Sequence, residues 1–224
     1  MYSIFYKQQH IIKCLLEAKA NVNCIDNHGN TALIIALKNK LYEIMKMLIQ
    51  YGANINHTNF YEDTPLIISI KKKYNKIAML LVDNGADVNA KDSHGDTILI
   101  LATKSENKDM VEYLLDHGAN INDKDINGNT PLFIAYYNCM IDIISILIKK
   151  KANINEKNNT LGITVLMLAS QNGFLLNVKY LIENGANVNV KDHYGNTVLN
   201  YASKNTFYCN EIIPYLKAHG AIKV

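Results

Sequence analysis

Acid and lysine side chains, the groups of this chain best suited to chemistry, recur at a fixed spacing. An acid or amide stands at one position of a repeating pattern, at Asp26, Asn59, Asp92, Asp125, Asn159 and Asp192. Paired carboxylates can act as general acid and base. This column is regular, however, and Asp and Asn are typical of turns, so we interpret it as hydrogen bonding within turns. We predict no catalytic residues on this ground.

Motifs that would indicate an enzyme or a cofactor are missing from the sequence. It contains no GxxxxGK[ST] or GxGxxG phosphate-binding loop, no HExxH zinc motif and no GxSxG nucleophile motif. We therefore predict that the protein is not an enzyme and binds no cofactor.

A threonine ladder sets the register of the elements that must position these side chains. Its members are Thr31, Thr64, Thr97, Thr130, Thr164 and Thr197. The step between them is constant except from Thr130 to Thr164, where one residue is added. An alanine or serine follows five positions after each threonine, and a Gly-Ala pair lies further on in most copies. A fixed period of about 33 residues is the signature of a repeat array.

These repeating units resemble the ankyrin repeat family over roughly residues 10 to 224. The resemblance implies an all-α solenoid of helix-turn-helix units joined by hairpin loops. We expect a single domain over residues 1–224, elongated and monomeric. Its units are a partial N-terminal capping repeat over 1–25, repeats over 26–58, 59–91, 92–124, 125–158 and 159–191, and a C-terminal capping repeat over 192–224.

Each repeat carries local signals for its two helices. The threonine can cap the first helix by accepting a hydrogen bond from a first-turn amide. In the second helix, residues such as Met110, Val111 and Leu114 form one apolar stripe, which we assign to the core. Two departures stand out. Glu62 replaces the turn glycine of the second repeat, which predicts a different turn there, and Pro214 is expected in the first turn of the last helix.

Seven histidines and four cysteines could in principle bind metal. His28 and His94 share a repeat position, but residues two repeats apart lie on the order of 20 Å from each other when helices pack about 8 to 10 Å apart. The cysteines show no CxxC spacing. We predict no metal site and reduced thiols, as in a reducing compartment.

The ends and the apolar runs of the chain bear on its location. The N-terminus MYSIFYKQQH lacks the unbroken apolar run of a signal peptide, and no stretch approaches about 20 apolar residues. An intracellular, cytoplasmic protein without membrane contact is the expectation.

The hairpin tips lie three and four positions before each threonine and carry side chains that a core does not need. In ankyrin-like arrays the tips and the first helices form a concave face that binds partners, and exposed aromatic residues there can act as hot spots. The candidate protein-binding residues at the tips are His28, Phe60, Tyr61, His94, Ile126, Leu161, His193 and Tyr194.

A second candidate feature follows seven positions after the threonines. It comprises Lys38, Lys71, Lys104 and Lys204, with Tyr137 in the fourth repeat. As a row of positive charge outside the core, it would favour a partner with an acidic segment. Lysine-rich composition alone could also produce it. Nucleic acid is a poorer candidate, because the net charge is only +3 and arginine is absent.

The function predicted from the sequence is a non-enzymatic module that binds another protein through its concave face. Two alternatives stay open. The chain could be a regulatory subunit or inhibitor of an enzyme, or a structural fragment of a larger multi-domain scaffold.

Overall fold

Pairs of short helices joined by tight turns make up the chain, and hairpin loops connect one pair to the next. The computed structural model describes residues 2–5, 8–204, 207 and 209–222. Within those residues the only strand-like pairings are two isolated bridges at the bases of hairpins, Ile25 to Thr31 and Lys91 to Thr97. The predicted all-α, helix-turn-helix architecture is therefore confirmed.

The chain divides into two compact units. Unit 1 comprises residues 1–105 and 116–119, and unit 2 comprises residues 106–115 and 120–224. The helices of unit 1 are α1 (Tyr2–Phe5), α2 (Gln9–Glu17), α3 (Ala32–Lys38), α4 (Tyr42–Gln50), α5 (Pro65–Lys71), α6 (Asn75–Asp83) and α7 (Ile98–Lys104). Those that lie in or begin in unit 2 are α8 (Lys108–Asp116), α9 (Pro131–Tyr137), α10 (Ile141–Lys149), α11 (Val165–Gln171), α12 (Leu175–Glu183), α13 (Val198–Ala202) and α14 (Cys209–Ala218).

The threonine ladder caps the first helix of each pair, as predicted. Thr31 Oγ1 accepts a hydrogen bond from the backbone N–H of Ile34 at 3.4 Å, and Thr64 accepts one from Ile67 at 3.2 Å. In the last repeat the bond is reversed, because Thr197 donates its N–H and its hydroxyl to the side-chain oxygen of Asn200. The first arrangement satisfies a first-turn amide that has no partner within the helix, and the second satisfies the N–H of the capping residue itself.

The core of each unit lies between its helices. The first helices are nearly enclosed: every residue of α3 from Ala32 to Leu37 is buried. The second helices bury one stripe only, and a leucine stands at its centre in each complete repeat. These leucines, Leu48, Leu81, Leu114, Leu147 and Leu181, are at most 2% exposed. Consecutive first helices touch, α3 with α5 and α5 with α7 in unit 1, and α9 with α11 and α11 with α13 in unit 2.

Asparagines in the loops that follow the second helices join successive repeats. Asn56 donates its side-chain N–H to the carbonyl of Gly85 at 3.2 Å and accepts the N–H of Asp87 at 2.8 Å. Asn23 makes the same two kinds of bond to Gly52 and Asn54. The repeats are thus linked by polar bonds as well as by apolar packing, which is how short helices gain stability from their neighbours.

Pro214 does not occupy the first turn of its helix, which corrects the sequence expectation. Helix α14 begins at Cys209, so Pro214 is its sixth residue and lies in the interior. A proline there cannot donate to the carbonyl four positions earlier, which belongs to Asn210. The helix continues because Ile212 and Leu216, on either side of the proline, are both 0% exposed in the core.

Candidate protein-binding surface

The acid column fixes the backbone of the hairpins. Asp26 accepts hydrogen bonds from the N–H groups of His28 and Asn30, both at 2.8 Å. Asp125 and Asp192 bind the equivalent amides of their own hairpins at 2.8 to 2.9 Å. The interpretation of this column as turn hydrogen bonding is confirmed at Asp26, Asn59, Asp92, Asp125 and Asp192 and is wrong at Asn159, and the tips are held in a defined conformation.

Hydrogen bonds stabilise the charged forms of Asp26 and Asp192. Burial by itself would raise the pKa of Asp192, but bonds from Asn196, the Tyr201 hydroxyl and the backbone outweigh it and lower the pKa to about 2. The Tyr201 hydroxyl donates at 2.7 Å. For similar reasons the pKa of Asp26 lies below its ordinary value, despite an opposing effect of burial. These groups are ionised and already occupied by the turn, which leaves them unsuited to acid-base chemistry.

The second hairpin turns like the others, although a different turn was predicted from Glu62. Glu62 adopts φ +60°, close to the +73° of Gly29, and its N–H donates to the carbonyl of Asn59 just as Gly29 donates to Asp26. The side chain of Asn59 binds two amides of the hairpin at 3.0 Å and so holds a non-glycine residue in the left-handed region.

The inserted residue of the fifth repeat changes which amide holds its hairpin. Asn158, one position before the expected Asn159, accepts the N–H groups of Leu161 and Ile163 at 3.2 and 3.1 Å. Asn159 instead donates its N–H to the carbonyl of Asn127 in the preceding hairpin at 2.9 Å. This bond corresponds to the one from the N–H of Phe60 to the carbonyl of His28, so it does not depend on the insertion. The extra residue lengthens the hairpin itself, because the N–H of Asn158 reaches the carbonyl of Ile163, whereas that of Asn59 reaches Asp63.

In unit 1 the tip side chains point away from the core. Phe60 and Tyr61 are 68% and 60% exposed, and His28 and His94 are exposed as well. The N–H of Phe60 donates to the carbonyl of His28 at 3.2 Å, and a Cβ placed on Gly29 would lie only 2.6 Å from the Phe60 ring. Phe60 therefore packs against the neighbouring hairpin while most of its side chain stays exposed.

In unit 2 the tips are equally open. Ile126 is 80% exposed, Tyr194 is 76% exposed and Leu161 is 39% exposed, while His193 also lies at the surface. The N–H of His193 donates to the carbonyl of Leu161 at 3.0 Å. As in unit 1, a main-chain bond between hairpins fixes the spacing of the side chains that the sequence singled out.

The lysine column faces the hairpins, but two of its charges are already paired. Lys71 Nζ lies 2.7 Å from Asp63 and 3.0 Å from Asp92, whose side chain is 2% exposed. Lys104 Nζ lies 2.7 Å from Asp96. The sequence predicted a row of positive charge here but not these ion pairs, because the acids lie in hairpins, outside the helices that carry the lysines.

The remaining members of the column differ from these two. Lys38 Nζ donates to the side-chain oxygen of Asn30 at 2.8 Å, a neutral acceptor that leaves the ammonium charge uncompensated. Tyr137 is 67% exposed. Lys204 Nζ lies 4.5 Å from the centre of the Tyr201 ring, a cation–π contact.

The described ranges offer no cluster for metal binding and no membrane-spanning element. No group of three His, Cys, Asp or Glu there could hold a metal ion. In the same part of the chain, the four cysteines form no disulfide. Among the helices that the structure describes, none has the length and apolar character needed to cross a membrane.

Comparison with known proteins identifies the repeat. A family model of ankyrin repeats in three copies matches residues 1–92, 57–125, 91–158 and 152–224. The comparison with curated proteins gives no match. Among solved structures, the ankyrin repeat domain of Bcl-3, described as a unique member of the IkappaB protein family, matches with a TM-score of 0.80. That match covers 92% of this chain and 91% of the other at 24% sequence identity, which shows a common fold.

Ankyrin repeats generally serve as protein-protein interaction modules, and the fold is known as a non-enzymatic scaffold. The matches extend from the first residue of the sequence to the last. This chain belongs to the ankyrin repeat family.

Proposed function

We propose that the chain binds a partner protein through the tip surface of either unit, and that it carries out no catalysis. The tip surface of a unit is defined as the exposed tip side chains of its hairpins together with its members of the lysine column and, in unit 2, Tyr137. The observation that carries the proposal is the exposure of large apolar side chains at the tips. Phe60, Tyr61, Ile126 and Tyr194 are each at least 60% exposed, and the core does not use them.

Fixed backbones make these side chains suitable anchors. The side chains of Asp26, Asn59 and Asp192 hold their hairpins, and main-chain bonds join Phe60 to the preceding tip. Binding to a preorganised loop loses little conformational entropy, so more of the contact energy appears as affinity. Rigid aromatic side chains with large contact areas are the usual hot spots of protein interfaces.

The charge near the tips favours a partner with an acidic segment, though on fewer lysines than the sequence suggests. The positive charge of Lys38 is not neutralised by its hydrogen-bond partner, because Asn30 is neutral. Lys71 and Lys104 contribute less, since carboxylates neutralise them locally. We further propose a monomeric protein of the cytoplasm, a location that suits cysteines without a disulfide.

Affinity purification with the intact chain as bait, followed by mass spectrometry, would test the proposal. The wild type is compared with Phe60→Ala/Tyr61→Ala and with Ile126→Ala/Tyr194→Ala. The matched control is Tyr51→Ala, because Tyr51 is 42% exposed but lies at the end of α4 and away from the tips. The supporting result is a protein that the wild type and the control retain and that at least one tip variant loses.

Binding kinetics with that partner separate the two features of the tip surface. Replacing the apolar anchors with alanine should speed dissociation and cost about 2 kcal/mol or more of binding free energy, which is roughly 30-fold in Kd. Lys38→Glu should slow association, and the wild-type association rate should fall as salt rises through about 0.15 M. Wild-type rates for both tip variants would overturn the proposal.

A further inference from the structure

A second apolar surface lies in unit 2, where the second helices begin. Ile141 at the start of α10 is 76% exposed, and Leu176 in the first turn of α12 is 80% exposed. Phe174, which precedes α12, is 40% exposed. Single exposed apolar side chains are ordinary, but these three line one depression with a volume of about 450 Å³.

Leu176 differs from the residues at the same position of the other second helices. At the second position of the second helix, the other complete repeats carry a charged residue: Glu43, Lys76, Asp109 and Asp142. A polar side chain is expected at this solvent-facing place, and an acid there would also favour the helix N-terminus. The core makes no use of Leu176, so packing within the chain does not explain it.

The depression continues into a second one along the same edge. A smaller hollow of about 160 Å³, lined by Lys108 and Asn138, shares Cys139 and Ile141 with the larger one. Together they form what we call the second-helix groove, which crosses the beginnings of α8, α10 and α12 and reaches Glu211 on α14. At about 8 to 10 Å between helices the groove is roughly 24 to 30 Å long, the length of a helix of about 16 to 20 residues.

The rim of this groove is negative. Glu106, Asp142 and Glu211 line it, and the lysine among its lining residues is Lys108, which lies 3.6 Å from Asp142. Glu211 is exposed on the far side of the apolar floor. An occupant that matches both features needs apolar side chains for the floor and cationic side chains for the rim.

We infer that the second-helix groove docks an amphipathic segment of a partner protein, with apolar side chains on one face flanked by lysine or arginine. This surface is distinct from the tip surface, and its occupant has the opposite charge. The apolar face lies against Ile141, Phe174 and Leu176, as helices dock into grooves elsewhere through residues spaced three and four apart. Cationic side chains pair with Glu106 and Glu211, because Asp142 already lies against Lys108.

The probe for the test is a fluorescein-labelled peptide of leucine and lysine, about 18 residues long, with leucine on one helical face. Its counterpart has glutamate in place of lysine. Fluorescence anisotropy at about 0.15 M salt should give saturable binding of the lysine peptide. The tip surface is itself proposed to take acidic segments, so the glutamate peptide is judged at the groove alone, where Ile141→Asp/Leu176→Asp should not change its affinity. The double substitution Ile141→Asp/Leu176→Asp should weaken the binding of the lysine peptide by about tenfold or more. Ile126→Asp, equally exposed on a tip, should leave it unchanged.

Cys139 offers a readout at the groove itself. Alkylation with iodoacetamide, followed by mass spectrometry, should be slowed at Cys139 by the bound peptide. Cys14 and Cys24, which are exposed in unit 1, serve as internal controls and should react at unchanged rates. Because Phe60→Ala/Tyr61→Ala leaves the groove intact, its peptide affinity should equal that of the wild type, which separates this inference from the tip-surface proposal.

Three results would overturn the inference. They are equal protection of Cys139 by both peptides, wild-type affinity of the Ile141→Asp/Leu176→Asp variant for the lysine peptide, and unprotected Cys139 at saturating lysine peptide. Binding to anionic lipid vesicles that the double variant loses, without any binding of the peptide, would assign the groove to a membrane surface instead.

Discussion

The Lys71 ammonium lies 3.0 Å from a carboxylate oxygen of Asp92, an almost fully buried side chain in the next hairpin. Burial alone would lower the pKa of Lys71, but hydrogen bonds to Asp63 and Asp92 raise it. Burial would likewise raise the pKa of Asp92, but the bond from Lys71 and the backbone amides of its hairpin lower it. The pair therefore joins two repeats by charge as well as by packing.

Removing this lysine should destabilise the fold, because it leaves the carboxylate of Asp92 without its cation. For Lys71→Met we expect a loss of about 1 to 2 kcal/mol in the free energy of unfolding by urea. That is less than the roughly 3 to 5 kcal/mol typical of a fully buried pair, since Lys71 is one-third exposed. Lys72→Met, at an exposed neighbouring position, is the control and should have little effect. Equal stability of the two variants would contradict the prediction.

Acid should weaken the last hairpin through Asp192. Its pKa is lowered to about 2 in the folded chain, whereas an unfolded Asp titrates near 3.9. A lowered folded pKa contributes stability above the unfolded value, and that contribution disappears as pH falls from about 4 towards 2. The wild type should exceed Asp192→Asn by about 1 to 2 kcal/mol near pH 6, and the two should converge near pH 2. A difference that does not change with pH would refute this.

The buried leucine column gives the strongest stability prediction. Leu114 and Leu147 are both 0% exposed, so Leu→Ala at either should cost about 2 to 5 kcal/mol in urea unfolding. Leu176→Ala, at a position 80% exposed, should change stability by less than about half a kcal/mol. The helix register is wrong if the three substitutions have similar effects.

Replacing Glu62, whose backbone is left-handed, with glycine should stabilise the second hairpin. Glu62 at φ +60° has a conformation that costs an ordinary residue about 1 to 2 kcal/mol, and glycine regains most of that despite its larger entropy loss. Glu62→Gly should therefore raise the free energy of unfolding by about 0.5 to 1 kcal/mol. The reverse control is Gly95→Ala, because a Cβ there meets no atom and only the backbone conformation is changed. Gly95→Ala should lower the free energy of unfolding by a similar amount. Thermal unfolding of both variants checks the two predictions.

Asparagines that bond to the next repeat should contribute more to the free energy of unfolding than asparagines that bond within their own repeat. Asn56→Ala removes two bonds to the next repeat and should cost about 1 to 2 kcal/mol. Asn84 donates to Leu80 within its own helix at 2.8 Å, so Asn84→Ala should cost less. Hydrogen exchange of the Asp87 amide, which donates to Asn56, would locate the effect, and unchanged protection there would argue against the bridge.

The amino-acid sequence by itself determined the repeat, the helices and the core. Thr64 caps its helix through an amide three positions away, and Leu114 belongs to a stripe set by the period of the helix. Both are local relationships, and their recurrence fixes the fold. The exposure of Phe60 and Ile126 also followed, because the hairpin tips lie outside the stripe that packs between repeats.

Only the tertiary structure decided how side chains from different repeats meet. Lys71 and Asp92 belong to different repeats, and their contact depends on the distance and rotation between stacked repeats, which no local pattern records. The same holds for Glu62, whose conformation is imposed by Asn59, and for Asn158, which an inserted residue brought into the place expected for Asn159. Leu176 and Ile141 came together because consecutive helices begin along one edge. Such long-range contacts are set by packing, and packing is resolved only when the whole chain is folded.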